Sequence, residues 1–125
     1  MHALRELHRV LVAGGLLVDT QPVSARPTVA SDGTRLGTLD MREWRATIDA
    51  IEQEIQGVLA DGLFTIGQER ALVVTETFDN GPELVEAVSA WQGTKIPRHL
   101  GRAVAAAAPP LTVEQDVRLR VLRAL

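Results

Sequence analysis

The chain has 125 residues, of which 46% are hydrophobic and 23% are charged, and this composition is typical of one globular domain rather than a disordered segment. It contains no cysteine, which excludes a disulfide framework, thiol catalysis and zinc-finger-type sites. Its 13 basic residues, Lys95 and otherwise arginines, stand against 16 acidic residues, for a net charge of −3. A nucleic-acid partner is therefore not expected.

No membrane association is expected either. The longest apolar or glycine stretches, Val10–Val18 and Ala103–Ala108, are shorter than the ~18–20 residues that a membrane helix needs. The N-terminal segment resembles a signal peptide in outline, because Arg5 and Arg9 precede the first apolar stretch. Glu6 and the Gly14-Gly15 pair argue against export, so we predict a cytoplasmic protein.

The N-terminal segment predicts a helix followed by a strand. Leu4, Leu7, Val10 and Leu11 recur at helical spacing, which indicates an amphipathic helix over residues 2–12 that stops at the glycine pair. The apolar run 16–18 is typical of a strand buried on both faces, which residues 19–22 should end because proline cannot continue a ladder.

Residues 23–39 predict a small hairpin. Two strands, Val23–Ala30 and Thr34–Leu39, flank Ser31-Asp32-Gly33, and Asp-Gly is a strong turn signal. Pro27 predicts that the first of these is an edge strand, because its missing N–H cannot donate to a neighbour.

The clearest predicted helix is Asp40–Ala60, which Gly62 should end. Asp40 with Glu43 resembles a capping box. Apolar residues then recur at steps of three and four residues and form one stripe: Trp44, Ile48, Ile51, Ile55, Val58 and Leu59.

The remaining sequence predicts strand, helix, helix and strand. Residues 63–78 are rich in β-branched residues, with a bend at Gly67, and Asp79 or Asn80 should cap a helix. Its buried face is predicted to be Leu84, Val85, Val88 and Trp91, and a second helix to cover Pro97–Ala107. Residues 111–121 alternate apolar and polar with period two, so we predict a strand there in preference to a helix capped by Thr112. No internal boundary is visible, and 1–125 is predicted to be a single α/β domain.

The segment Leu4–Leu17, which reads LRELHRVLVAGGLL, resembles a recurring stretch of class I S-adenosylmethionine-dependent methyltransferases, approximately L-x-E-x-x-R-V-L-x-x-G-G-x-L. In that family the stretch forms a helix, a tight turn and the start of the fifth strand of a Rossmann-like sheet. The resemblance implies a long helix, a sixth strand and a seventh strand antiparallel to its neighbours. Residues 40–60, 69–78 and 111–121 would take these roles, with 80–108 as an insertion of two helices.

The cofactor-binding elements of that family have no counterpart in this sequence. The family holds its cofactor with a D-x-G-x-G loop after the first strand and an acidic residue after the second, whereas this sequence contains no G-x-G triplet. The resemblance also begins at residue 2, halfway through the fold. It therefore implies a partial Rossmann-like methyltransferase sheet, with strands equivalent to the fifth, sixth and seventh, packed helices and a small hairpin. No cofactor is expected, except S-adenosylmethionine if a complementary half is supplied.

The candidate site residues are Asp19, Thr20 and Gln21, predicted as substrate-side residues because ligands of open α/β sheets bind beyond the carboxyl ends of the strands. No catalytic, cofactor-binding or metal-ligating residue is predicted. His2 and His8 are spaced so that they point to different sides of a helix and cannot share a metal ion. Other polar and aromatic side chains receive structural roles: His8 as a solvated surface residue, Trp44 and Trp91 as core residues, and Arg118, Arg120 and Arg123 as a solvated basic face.

Two functions remain open from the sequence. The first is a non-catalytic, methyltransferase-related module that self-associates and binds a small ligand or a protein partner. The second is a fragment or subunit of a methyltransferase that contributes the substrate-side half. In either case the fifth strand would have an uncovered edge, so a symmetric homodimer or a complementary chain is expected.

Overall fold

The structure is a computed structural model that describes residues 3–125. The elements in chain order are α1 (Ala3–Val10), β1 (Leu16–Pro22), β2 (Thr28–Ser31), β3 (Thr34–Thr38), α2 (Arg42–Ala60), β4 (Phe64–Phe78), α3 (Gly81–Ser89), α4 (Arg98–Ala106) and β5 (Leu111–Ala124). The hydrogen-bonded strand order is β1-β5-β2-β3, and β4 also pairs with β5. Residues 3–125 thus form an α/β fold with a mostly antiparallel five-stranded sheet and four helices, which confirms the predicted α/β class. The partial Rossmann-like methyltransferase sheet stays a prediction.

The contacts of the chain group into two compact units. In the first unit (residues 1–21, 47–72 and 117–125), the core consists of Ile55, Val58, Phe64, Leu122 and Ala124. In the second unit (residues 22–46 and 73–116), it consists of Val29, Leu39, Leu84, Val88, Leu100, Val104, Leu111 and Val113. The prediction of a single domain over 1–125 stays a prediction.

The predicted hairpin is present in the second unit. β2 and β3 are antiparallel, and the turn residues Asp32 and Gly33 have φ angles of 47° and 82°. Two positive φ angles are what a type I′ turn requires, and its twist matches that of the strands. The prediction that Pro27 marks an edge strand is wrong, because β2 lies between β5 and β3. Pro27 precedes the first residue of β2, so its missing N–H does not interrupt the ladder.

Strand β1 is longer and more exposed than predicted. It continues through Asp19 to Pro22, and its side chains alternate between an exposed and a more buried face. Leu16 and Val18 are 54% and 59% exposed. The prediction of burial on both faces is wrong, because β1 is an end strand of an antiparallel sheet, and such a sheet can leave one face in water.

Helix α1 is present, but its packing face differs from the prediction. Leu4 and Leu11 pack against the core of the first unit, whereas Leu7 and Val10 are exposed. His8 occupies the inward position between them: its Nε2 lies 3.1 Å from the carbonyl oxygen of Leu125. His8 is half-buried and this contact is exposed to solvent, so its role as a surface residue stays a prediction, while His2 lies outside the described residues.

Helix α2 begins at Arg42, and the reciprocal capping box is not formed. The Asp40 carboxylate accepts a 3.0 Å hydrogen bond from the backbone N–H of Arg42, but Glu43 pairs instead with Lys95, at 2.6 Å. The C-terminus follows the prediction. Gly62 has a φ of 72°, its N–H donates to the Leu59 carbonyl, and the next N–H donates to Val58, which is a Schellman motif.

Helix α3 has the predicted Asn80 cap, whose side chain accepts a 2.9 Å bond from the N–H of Glu83. Leu84 and Val88 are buried and Trp91 packs against them, whereas Val85 is exposed, contrary to the prediction. The strand prediction for residues 111–121 is confirmed by β5. None of the helices within residues 3–125 has both the length and the apolar character needed to cross a membrane.

We expect the two glycines near the end of α2 to respond oppositely to alanine. Gly62→Ala forces a side chain into the left-handed region and should lower the free energy of unfolding by about 1–2 kcal/mol. Gly57→Ala is the matched control: Gly57 lies inside the helix, has nothing within 4 Å of the added Cβ, and should gain about 0.5–1 kcal/mol. Urea unfolding of both variants measures this, and two changes of the same sign would contradict the assigned helix end.

Candidate functional site

The structure brings together two of the three predicted substrate-side residues. Asp19 and Gln21 lie on the same face of β1, and Thr20 points to the other face, where it is exposed. Gln21 is 5% exposed, and its Nε2 donates to both carboxylate oxygens of Asp19, at 3.0 and 3.1 Å. All three residues lie within the strand, not beyond its end.

Asp19 contacts a buried arginine that the sequence analysis assigned to a solvated face. Arg120 on β5 is 2% exposed, and its Nη2 lies 3.0 Å from Asp19 Oδ2 and 2.5 Å from Glu52 Oε2 on α2. Its Nη1 donates to Glu52 Oε1 at 3.0 Å, and its Nε donates to Asp19 Oδ2 at 3.2 Å. We call Asp19, Glu52 and Arg120 the arginine clamp.

The prediction of a solvated basic face is wrong for Arg120. The even-numbered residues of β5 face α2 in the first unit, and the carboxylate of Glu52 allows a guanidinium to be buried there. Arg118 lies two residues away on the same face and donates to Glu52 Oε2 at 2.8 Å. Arg123, by contrast, is exposed as predicted.

The charges of the clamp stabilise one another. Hydrogen bonds from Arg120 hold the pKa of Glu52 at about 2, below its usual 4.5, with smaller contributions from Gln56 and Arg118. The same contact raises the pKa of the Arg120 guanidinium. Because every nitrogen of this guanidinium donates to a carboxylate, with four of its five N–H groups, the clamp holds β1, β5 and α2 of the first unit together.

Two buried polar atoms beside the clamp have no hydrogen-bond partner among the described residues, Gln21 Oε1 and Arg118 Nε. The Glu69 carboxylate lies 3.9 Å from Arg118 Nε, which is too far for a hydrogen bond. These atoms are the polar positions of this cluster that could interact with a water molecule or a small polar group.

The second unit contains a polar cleft that the sequence analysis did not find. It measures about 400 Å³ and is lined by Arg26, Thr38, Leu39, Asp40, Arg42, Pro97 and His99. Asp40 and Arg42 form a double hydrogen bond, which holds the pKa of Asp40 at about 2. Pro97, which also lines the cleft, occupies the N-cap position of α4, and no side-chain hydrogen bond is formed from it to that helix end. A cluster of this kind comes from residues far apart in the chain, so no sequence motif marks it.

The histidine and tryptophan residues that the sequence assigns to structural roles are in contact with other parts of the chain or half-buried. The ring of His8 packs edge-on against Phe64 with 5.3 Å between centroids, and Trp91 packs against the core of the second unit. Trp44 is half-buried. Within residues 3–125, no group of three or more side chains is arranged to hold a metal ion.

A comparison of the chain with protein-family models, with curated proteins and with solved structures finds no match. The functional argument therefore depends on the geometry of the chain itself.

We predict that removing the cation of the arginine clamp strongly destabilises the chain. Arg120→Met should lower the free energy of unfolding by about 3–5 kcal/mol, because it leaves two carboxylates close together without their cation. Arg123→Met, an exposed change on the same strand, should cost less than about 0.5 kcal/mol. Urea unfolding of the two variants compares them, and equal small losses would contradict a stabilising clamp.

The loss of unfolding free energy in Arg120→Met should depend on pH. Because the pKa of Glu52 is about 2 in the folded chain and 4.5 ordinarily, its stabilising contribution is present above pH 4.5 and is lost as the pH falls toward 2. The deficit of Arg120→Met should therefore shrink over that range, and a constant deficit would exclude Glu52 as its source.

Proposed function

We propose that the chain is a non-catalytic, methyltransferase-related module that self-associates and binds a small ligand or a protein partner. The observation that carries the proposal is the exposure of β4. Every residue from Thr65 to Thr77 is exposed, although the strand contains Ile66, Leu72, Val73 and Val74.

Such a strand favours association. Within residues 3–125, β4 has one hydrogen-bonded strand neighbour, β5, so its other edge carries backbone N–H and C=O groups that can pair with a further strand. Val73 is 63% exposed. Exposed apolar side chains next to unpaired backbone groups are typical of a protein–protein contact.

The internal contacts support a binding role over a catalytic one. Asp19 and Gln21 are engaged within the first unit, and four of the five N–H groups of Arg120 donate to carboxylates of the chain itself. The polar cleft at Arg26, Asp40, Arg42 and His99 is a place in the second unit where a small ligand would fit.

We predict a dimer in solution at micromolar concentration. Sedimentation equilibrium over a range of concentrations should give a mass near twice the 13.5 kDa of the chain. The shift toward monomer on dilution then yields the dissociation constant. A mass of one chain throughout the micromolar range would contradict self-association.

A specific observation also favours the alternative, a fragment or subunit of an S-adenosylmethionine-dependent methyltransferase. The segment Leu4–Leu17 forms a helix, a turn at Gly14 with a φ of 84°, and the start of β1, as the resemblance implies. β5 pairs with both β1 and β4. The N–H of Ala124 donates to Gly15 and the N–H of Val23 donates to Asp116, so β5 runs opposite to β1, as expected of the seventh strand.

In this alternative, β1 would receive the complementary half. It is an end strand of the hydrogen-bonded order, and the exposed Leu16 and Val18 lie on one face of it. A chain that carries the D-x-G-x-G loop would then supply the cofactor site, while this chain supplies the substrate side.

Calorimetry with S-adenosylmethionine separates the two functions. We expect no micromolar binding by this chain alone, because its sequence contains no G-x-G triplet to approach the cofactor. The alternative predicts binding only after a chain with the cofactor loop is added. Micromolar binding by this chain alone would contradict the proposed module and the expectation that it has no cofactor of its own.

A further inference from the structure

The exposed part of β4 has a self-complementary sequence. Residues 70–76 read R-A-L-V-V-T-E, so the apolar centre Leu72-Val73-Val74 has a cation on one side and an anion on the other, each three residues from Val73. Arg70 and Glu76 are both exposed. An antiparallel copy of the same segment presents the opposite order of charges.

We propose that two copies of the chain pair along the free edges of β4, antiparallel, with a two-fold axis at Val73. This inference rests on the proposed self-association and names its partner, a second copy, and its register. Val73 then lies opposite Val73 of the second copy, and Leu72 lies opposite Val74. Arg70 lies opposite Glu76, and the symmetry makes this ion pair twice.

The side-chain alternation of a strand is compatible with this register. Arg70, Leu72, Val74 and Glu76 share one face of β4, and Val73 lies on the other face. Directly opposite residues in an antiparallel pair point to the same side, so each proposed pair is between side chains that can touch. The apolar pairs lie next to the axis, and the ion pairs lie outside them.

Other symmetric registers are less favourable. An axis at Glu69 or Arg70 places two like charges directly opposite each other, which destabilises a strand pair. An axis at Leu72 places Arg70 opposite Val74, and an axis at Val74 places Leu72 opposite Glu76. The axis at Val73 is the one among these that matches apolar with apolar and cation with anion.

The positions of the backbone N–H and C=O groups of β4 are also compatible with this pairing. The N–H of Leu125 donates to the carbonyl of Leu63 just before β4, so Leu63 directs its carbonyl toward β5. In a strand that continues from there without a bulge, odd-numbered residues direct their backbone groups toward β5 and even-numbered residues direct theirs to the free edge. Leu72 and Val74 can therefore exchange backbone hydrogen bonds across the axis. Val73 forms a non-hydrogen-bonded pair with its copy, in which the Cα atoms come within about 4.5 Å.

Charge reversal tests the register. Arg70→Glu or Glu76→Arg alone creates two like-charge pairs per dimer, and each should weaken dimerisation about tenfold or more. The double variant R70E/E76R restores both ion pairs in the reversed sense and should dimerise as the unchanged chain does. Glu86→Arg, the same change in charge on an exposed position of α3, should leave the dissociation constant unchanged.

A second variant tests the axis without altering charge. Because the chain has no cysteine, Val73→Cys provides its only thiol, and two such thiols should lie within disulfide distance across the axis. Oxidation by diamide, which takes up the two hydrogens of the thiols, should give a covalent dimer. Ile66→Cys on the same strand lies far from the axis and should remain monomeric on a denaturing gel.

The outcomes separate the register from self-association. Single variants that weaken the dimer, a double variant that restores it and a cross-link at position 73 alone would support the inference. A dimer that ignores both charge reversals and cross-links equally at positions 66 and 73 would overturn the register and leave self-association intact. A chain that is monomeric before any substitution would overturn both.

Discussion

The first unit depends on one buried charge, the guanidinium of Arg120. A cation that is 2% exposed is costly unless it is paired and hydrogen-bonded, and here Asp19 on a neighbouring strand and Glu52 on a helix accept four hydrogen bonds from it. Replacing such a cluster with well-packed apolar residues is often neutral or stabilising, so its role is better described as specificity. The N–H of Ala124 donates to Gly15, and counting along both strands from this bond places Asp19 opposite Arg120. A register slip of one residue would move Asp19 to the other face of β1 and leave Arg120 without that carboxylate.

Local patterns predicted the elements well, because the forces that define them act over a few residues. The turn at Asp32-Gly33, the end of α2 at Gly62, the Asn80 cap and the period-two strand β5 are all determined by neighbouring backbone geometry. Which face of each strand is buried and which is exposed to solvent was harder to predict. Even-numbered residues from Thr112 to Arg120 are polar, and a polar face normally points to water, so the sequence predicts that Arg118 and Arg120 are solvated. The carboxylate that permits the burial of Arg120, Glu52, is 68 residues away in sequence, and no periodicity contains that information.

In the candidate site, too, local features could be predicted from the sequence, whereas contacts between distant residues could not. The sequence predicts Asp19, Thr20 and Gln21 as a polar cluster beyond a strand end. Asp19 and Gln21 do lie together, within the strand, but the partner of Asp19 comes from β5. The polar cleft of the second unit joins Arg26, Asp40 and His99 from three separate segments, so it becomes visible only in three dimensions. Apolar runs were misleading for a related reason. The run in β1 predicts burial on both faces, yet β1 exposes Leu16 and Val18, because the sequence of a strand does not show what packs against it.

The two strands with exposed apolar residues, β1 and β4, favour different binding partners. β4 has exposed charges of both signs placed symmetrically about an apolar centre, which favours a second copy of itself. In β1 the charged residue, Asp19, is held by Arg120, and the exposed face carries the uncharged Leu16, Val18 and Thr20. The exposed face of β1 has no charge pattern that would favour a second copy of β1 over an unrelated strand. Selective binding at β1 would therefore depend on the shape and backbone pairing of a different partner. Self-association through β4 and complementation through β1 use different strands, and the two are therefore compatible in one chain.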